Sequence, residues 1–312
     1  MVFTEEVDGL RVLVLHNPKA GEEDHEPESL IGPLEEAGHA VRWQSVQESG
    51  WEASLDEGAD LVAVAGGDGT VRKVFRRLAG GRVPATILPV GTANNIARSL
   101  GIEEVEPGDL IRGWPKGRMR PCDIGSLGAG RGQQLFVESA GGGLFADLLI
   151  RAEDDKADSD PDDKIELGLE VLLATAGEAK ARPWRVRLDG DELAEDLVGV
   201  EVMNVREAGP RLPLAPEADP GDGLLDVVLI RAAGAEALAA YAQARLRESP
   251  AEPPRFEVRR GREVVVHPPR DWPLHYDDEV LAERNADRAV VRCAGRLQVL
   301  VPSAEREREA SR

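Results

Sequence analysis

A glycine loop between a strand and a helix, at Ala63 to Leu78, limits what this chain can fold into more than any other stretch. The apolar run Asp60 to Ala65 leads into Gly66, Gly67, Asp68, Gly69 and Thr70, after which Val71, Val74, Phe75 and Leu78 recur at helical spacing. Glycines let backbone N–H groups approach an anion without a Cβ in the way, and the start of a helix adds the positive end of its dipole. Asp68 within the loop is a natural ligand for a hard cation on a nucleotide. A tight strand-to-helix turn is the plainer reading of two adjacent glycines. GGDGT directly after an apolar strand favours the phosphate site.

The surrounding sequence has the matching grammar. Strands are expected at Leu10 to His16, His39 to Val46, Asp60 to Ala65 and Ala85 to Val90, with helices at Pro27 to Ala37, Trp51 to Glu57 and Val71 to Leu78. This is a layered α/β domain with a mostly parallel sheet, whose ligands bind beyond the carboxyl ends of the strands. Two further loops fall at such ends. One is Asn17, Pro18, Lys19, Ala20 and Gly21; the other is Gly91, Thr92, Ala93, Asn94 and Asn95, in which Thr92 suits a phosphate or ribose and the asparagines suit either ligand or helix cap. The three loops are expected to converge on one rim.

After Pro121 extended runs dominate: Gln134 to Ser139, Trp184 to Leu188, Val198 to Val205, Leu224 to Ile230, Phe256 to Arg259, Glu263 to His267, Ala289 to Cys293 and Leu297 to Val301. Helices are expected only at Lys164 to Ala181 and Ala235 to Arg247, and the acidic stretch Glu153 to Asp163 reads as a solvated loop. The expected organisation is a nucleotide-binding domain at 1–120, a mostly antiparallel β domain at 121–302 and a charged tail at 303–312.

Charge narrows the partners. With 58 acidic against 38 basic side chains in 312 residues the formal charge is −20, which argues against a nucleic-acid groove and against strong electrostatic docking on anionic lipid. Cys122 and Cys293 follow no metal or redox spacing, and the acidic start MVFTEEVDG lacks the layout of a signal peptide. A cytoplasmic protein without a membrane span is expected.

Taken together, NPKAG at Asn17 to Gly21, GGDGT at Gly66 to Thr70 and PVGTANNIARSLG at Pro89 to Gly101 resemble the nucleotide-site motifs of the diacylglycerol kinase catalytic-domain family, most closely its bacterial soluble lipid kinases. The resemblance continues in RPCDIG around Asp123, in FVESAGGGLFADL, in Lys164 with Gly168, in PEADPGDGLLDVVLI and in YDDEV. It implies an N-terminal ATP domain, a β-sandwich-like C-terminal domain and a lipid substrate meeting ATP in the cleft between them. The implied nucleotide residues are Asn17, Pro18, Ser45, Gly66, Gly67, Asp68, Gly69, Thr70, Val71, Arg72, Thr92, Asn94 and Asn95. Glu279, in the position of the glutamate of the family's DGE motif, is the implied general base, with Asp68 beside it in the catalytic role. Magnesium is implied at Asp68, Asp123, Asp219, Asp222 and Leu224, although an ordinary DG turn accounts equally well for Asp222.

Departures from the family pattern are local. Asn95 stands where Asp is usual, removing one charge from the metal network; Arg72 and Lys73 replace Asn and Glu; Asp278 replaces the DGE glycine. The expected activity is ATP-dependent phosphorylation of a lipid hydroxyl, diacylglycerol-like, phosphatidylglycerol-like or sphingoid. NAD kinase and a catalytically weak nucleotide- or lipid-binding protein are the alternatives. ATP and lipid are the expected partners, with transient peripheral contact at the inner face of the membrane and a homodimer left open.

Overall fold

The computed structural model describes residues 9–21, 26–102, 105–130, 132–155, 164–281 and 286–303. Among these, two compact units separate: the residues up to Cys122 together with those from Gly295 onward, and Asp123–Ala294. The expected C-terminal domain at 121–302 thus differs at its end, because Gly295 to Val301 group with the first unit. Nearly all of the expected tail lies outside the described residues.

The first unit holds β1 (Arg11–His16), β2 (Ala40–Ser45), β3 (Leu61–Gly66) and β4 (Ala85–Pro89), paired in parallel in the order β2-β1-β3-β4, with the end of the chain's last strand, at Val299, pairing in parallel beyond β4. Every residue of β3 and β4 is buried, as expected of central parallel strands with both faces covered. Helix α1 (Pro27–Glu36) joins β1 to β2, a 3₁₀ turn (Trp51–Glu57) leads to β3, and α2 (Asp68–Leu78) joins β3 to β4. Val71, Val74, Phe75 and Leu78 form the buried stripe of α2. Two shorter helices, α3 (Asn95–Leu100) and α4 (Pro107–Gly113), complete the unit. The order of strands reverses direction between β1 and β3, so the loops after these two strands flank the switch point where open α/β sheets bind ligands.

The second unit begins in β5 (Arg118–Ala129), which pairs with β6 (Gly132–Phe136). It continues with β7 (Ser139–Gly143), α5 (Leu144–Asp155), α6 (Lys164–Glu178), β8 (Arg182–Leu188), β9 (Asp191–Leu197), β10 (Gly199–Met203), β11 (Leu225–Ile230) and α7 (Ala232–Leu246). The last elements are β12 (Glu257–Gly261), β13 (Glu263–His267), β14 (Leu274–Tyr276), β15 (Glu279–Val280) and β16 (Ala289–Val301). One antiparallel sheet runs β12-β11-β10-β7-β14-β15. Its inner face, with Val200, Val202, Val227 and Leu229, packs on Leu127, Phe136, Trp184, Val186, Val264 and Val266 of the opposing strands, so the unit is a β-sandwich. Its outer face, with Met203, Val228 and Ile230, is covered by Leu144, Phe145, Leu148, Leu172 and Leu238 of the helices. Coverage on both faces is why Leu225–Ile230 is apolar at nearly every position.

Several elements differ from the sequence reading. The expected strand Gln134 to Ser139 is two strands, broken at Val137 and Glu138, whose N–H groups turn to the Asp277 carboxylate. Leu144–Asp155 is an unforeseen helix, so Glu153 to Asp155 are helical rather than loop, and the rest of that acidic stretch up to Asp163 lies outside the described residues. Asp191–Leu197 is a strand despite its acids, because Glu192 pairs across from Arg187 on β8. The strands Arg118–Ala129 and Leu274–Tyr276 were not anticipated either, and the two runs expected at 289–293 and 297–301 are one continuous strand. No described helix is long and apolar enough to cross a membrane.

Gly125 lies opposite Phe136 in the β5–β6 pair, and a Cβ there would sit 2.1 Å from the ring. Phe136 is fully buried. Gly125→Ala is therefore expected to destabilise the chain by about 1–3 kcal/mol through overpacking, read as a lower midpoint in urea unfolding.

Candidate functional site

In the first unit the three loops do converge. A Cβ on Gly91 would lie 2.2 Å from Cα of Gly67, so the loop after β4 and the loop after β3 touch backbone to backbone. Gly21, at φ +82°, brings the loop after β1 against the Val90 carbonyl, where a Cβ would sit 2.3 Å from the oxygen. Gly66 makes room for Thr70, whose Cβ lies 2.6 Å from where a side chain would begin. Only glycine fits at these contacts, which is the physical content of the motifs.

Side chains then tie the rim together. The half-buried Asp68 opens α2, and its two oxygens accept from the N–H groups of Asn95 (3.1 Å) and Ile96 (3.0 Å) at the start of α3. One carboxylate thus closes the amino end of a second helix. Asn17 Nδ2 donates to Thr70 Oγ1 (3.2 Å), while its oxygen accepts from Gln47 Nε2 (2.9 Å). Asn94, in the left-handed conformation at φ 53°, folds back to exchange hydrogen bonds with Gly91 instead of capping α3. Asn95 is buried inside the first turn of α3.

Other expected nucleotide residues also serve the fold. Ser45 is buried at the end of β2 and its hydroxyl accepts the Gln47 N–H (3.2 Å), so it supports the turn while Gln47 reaches the rim. Gln47 had no sequence signal beyond lying after a strand end. The Val71 side chain is core, which leaves its backbone for the site. Pro18, Gly69, Arg72 and Thr92 are half-buried on the loops and on α2.

The second unit assembles the remaining candidates. Asp123 is buried; its N–H donates to the Pro220 carbonyl (2.6 Å) and its carboxylate accepts from Gly223 N–H (2.7 Å), which fastens it to the loop before β11. In that loop Asp219 accepts from Gly221 N–H and Asp222 from Leu224 N–H, each carboxylate closing its own turn. Leu224 is half-buried. Burial raises the pKa of the neighbouring Asp226; its partner Arg260 pulls it down, and the charges of Asp222 and Glu217 push it further up. The loop offers carboxylate and carbonyl oxygens of the kind a hard cation takes, while Arg260 and Arg206 already bind the Glu217 and Ala218 carbonyls at its start. Among the described residues no three His, Cys, Asp or Glu side chains gather as a metal cage, so a cation here would draw on backbone carbonyls and water as well.

Glu279 is exposed on β15, where it pairs with Tyr276 of β14, and the tyrosine hydroxyl donates to its carboxylate (2.6 Å). The left-handed residue of the turn between them is Asp277, at φ 47°; Asp278 is outside that region and carries no backbone strain where the family has glycine. The Asp277 carboxylate accepts from the N–H groups of Val137, Glu138 and Ser139. Asn204 Nδ2 donates to the carbonyls of Val137 (2.8 Å) and Asp123 (2.9 Å). The segment 137–139 thus links the Asp123 loop to the hairpin that carries Glu279. Tyr276, Asn204 and Asp277, none of them among the expected site residues, supply these contacts.

Residues 11–127 match the model of the diacylglycerol kinase catalytic domain, and residues 168–301 match that of the YegS C-terminal NAD kinase beta sandwich-like domain. The chain is 32% identical over 230 residues to a probable lipid kinase YegS-like of Pseudomonas aeruginosa (strain UCBPP-PA14), covering 70% of this chain and 71% of the relative. It is 27% identical over 245 residues to the diacylglycerol kinase of Bacillus subtilis (strain 168), covering 72% and 74%. The fold is shared with a putative diacylglycerol kinase from Bacillus anthracis str. Sterne, at a TM-score of 0.71 and 23% identity over 94% of this chain and 98% of that one.

Removal of the Asp68 carboxylate leaves two helix-start N–H groups without their acceptor. Asp68→Ala is expected to cost about 1–3 kcal/mol of stability in denaturant titration, with no ligand present.

Proposed function

Because the chain belongs to the diacylglycerol kinase catalytic-domain family of lipid kinases, a phosphotransferase family that uses ATP, we propose that it transfers the γ-phosphate of ATP to a hydroxyl of a diacylglycerol-like, phosphatidylglycerol-like or sphingoid lipid. The observation that carries this reading is the joint presence of a glycine-built rim around Asp68 in one unit and a braced, exposed Glu279 in the other. ATP phosphates lie against the N–H groups of the loop Gly66 to Thr70 and the start of α2, with Asn17, Thr92 and Asn95 around them. Glu279 takes the proton of the lipid hydroxyl as that oxygen attacks, and the Tyr276 hydroxyl holds the carboxylate in its orientation. The cleft between the two domains that the family resemblance implies is part of this reading.

Asp68 and, separately, Asp123 with Asp219, Asp222 and the Leu224 backbone are the residues that would hold magnesium. When bound, magnesium neutralises charge on the transferring phosphates. Contact with the membrane is peripheral and transient, in keeping with the charge of −20. The likeness of the second domain to an NAD kinase beta sandwich keeps NAD as a second acceptor to be tested.

Purified protein incubated with labelled ATP, magnesium and a panel of diacylglycerol, phosphatidylglycerol, sphingoid base and NAD is expected to label a lipid. Label in NAD alone would sink the proposal. Glu279→Gln is expected to lower transfer at least about a hundredfold while ATP binding by calorimetry stays intact, since the carboxylate acts on the acceptor. Asp68→Asn is expected to weaken magnesium-dependent ATP binding instead, which the same calorimetry separates from the first effect.

A further inference from the structure

The core of the second unit buries an acid and a base that the reaction described above does not use. Glu201 on β10 and His275 on β14 lie on either side of β7, both in register with Gly141. His275 Nε2 is 3.0 Å from Glu201 Oε2, and the two residues are 2% and 1% exposed respectively. The pair spans a strand because Gly141 has no side chain: a Cβ there would lie 2.5 Å from Glu201 Oε2. The other ring nitrogen, Nδ1, is 3.1 Å from the Asp277 carbonyl. A carbonyl only accepts, so Nδ1 carries a proton, and a second proton is shared between Nε2 and Glu201. Burial alone would depress the histidine, but the Glu201 charge and the hydrogen bonds to Glu201 and Asp277 outweigh it and raise its pKa.

Such a pair is a poor source of stability, since desolvating two charged groups offsets their attraction and apolar replacements are often neutral or better. Glu201 is also held incompletely, because its Oε1 makes no hydrogen bond among the described residues. The pair does grip one point, the Asp277 carbonyl, at the turn two residues before Glu279. β15 is a two-residue edge strand, too short for sheet pairing alone to fix it.

We propose that Glu201 and His275 form a positioning pair for Glu279: bridging over Gly141, they hold the Asp277 carbonyl and so set the direction in which the turn presents the base. The inference rests on the reading of Glu279 as the base. It differs from packing in that it predicts a loss in kcat separable from stability.

Two amide variants divide the ring's functions. His275→Gln places an amide near Nε2 and removes the ring's hold on the Asp277 carbonyl, whereas His275→Asn places one near Nδ1 and keeps that hold. With the full chain, His275→Gln is expected to lower kcat about tenfold or more with the KM for ATP unchanged, because small misplacements of a reacting group carry such costs. His275→Asn is expected to recover most of that loss, although it strands Glu201 and melts no higher. The double variant Glu201→Leu/His275→Leu supplies the same test should the single histidine variants not fold: replacing both members by apolar groups leaves neither stranded, so it is expected to retain or raise the melting temperature while kcat falls about tenfold. Wild-type kcat in His275→Gln or in the Glu201→Leu/His275→Leu double variant, or kcat that follows melting temperature across all three variants, overturns the inference. A wild-type chain that labels no lipid overturns the proposed function and this inference with it, whereas an active wild type with unaffected variants overturns this inference alone.

Discussion

Three backbone N–H groups, of Val137, Glu138 and Ser139, converge on the carboxylate of Asp277, and the second unit is organised around that contact. A buried carboxylate that accepts several backbone N–H groups is held firmly, since each bond to a charged acceptor is stronger than a neutral one. The contact separates β6 from β7, fixes the hairpin that ends in Glu279 and, through Asn204, reaches the Asp123 carbonyl. The candidate base and the candidate cation loop thus share a single backbone support. Rigid support matters because a phosphotransferase works chiefly by holding reacting groups in place.

The first unit reaches the same end by close approach. Gly67 against Gly91 and Gly21 against Val90 bring three strand-end loops together without side chains between them, and Asp68 then locks α2 to α3. Glycine at these positions serves contact, and the acid among them serves two helices at once. Asp68 is consequently a structural residue and a candidate for function, and its variants have to be read on both counts.

Much of the fold was legible along the chain. The alternation of apolar strands and amphipathic α2, with glycines at the strand ends, led directly to the parallel sheet and the converging loops. Periodicity failed where long-range partners decided the outcome. Asp191–Leu197 reads as a polar stretch until Arg187 is placed opposite Glu192, and Leu144–Asp155 reads as neither element until its apolar face meets the outer side of the sandwich. Ser45, which the family resemblance places among the nucleotide residues, also accepts the N–H of its own turn, a contact the motif does not spell out.

By itself the sequence determined the order of elements, the glycine loops and the identity of the acids, because backbone propensity and hydrophobic period act over a few residues and are written locally. Only the tertiary structure decided which of those acids brace the fold and which face outward. Val137 and Asp277 are 140 residues apart, and no local pattern encodes that one will accept the hydrogen bond of the other. Asp277, which the sequence shows only as one letter of YDDEV, is therefore an anchor, while Glu279, two residues on, is the exposed carboxylate of the same hairpin.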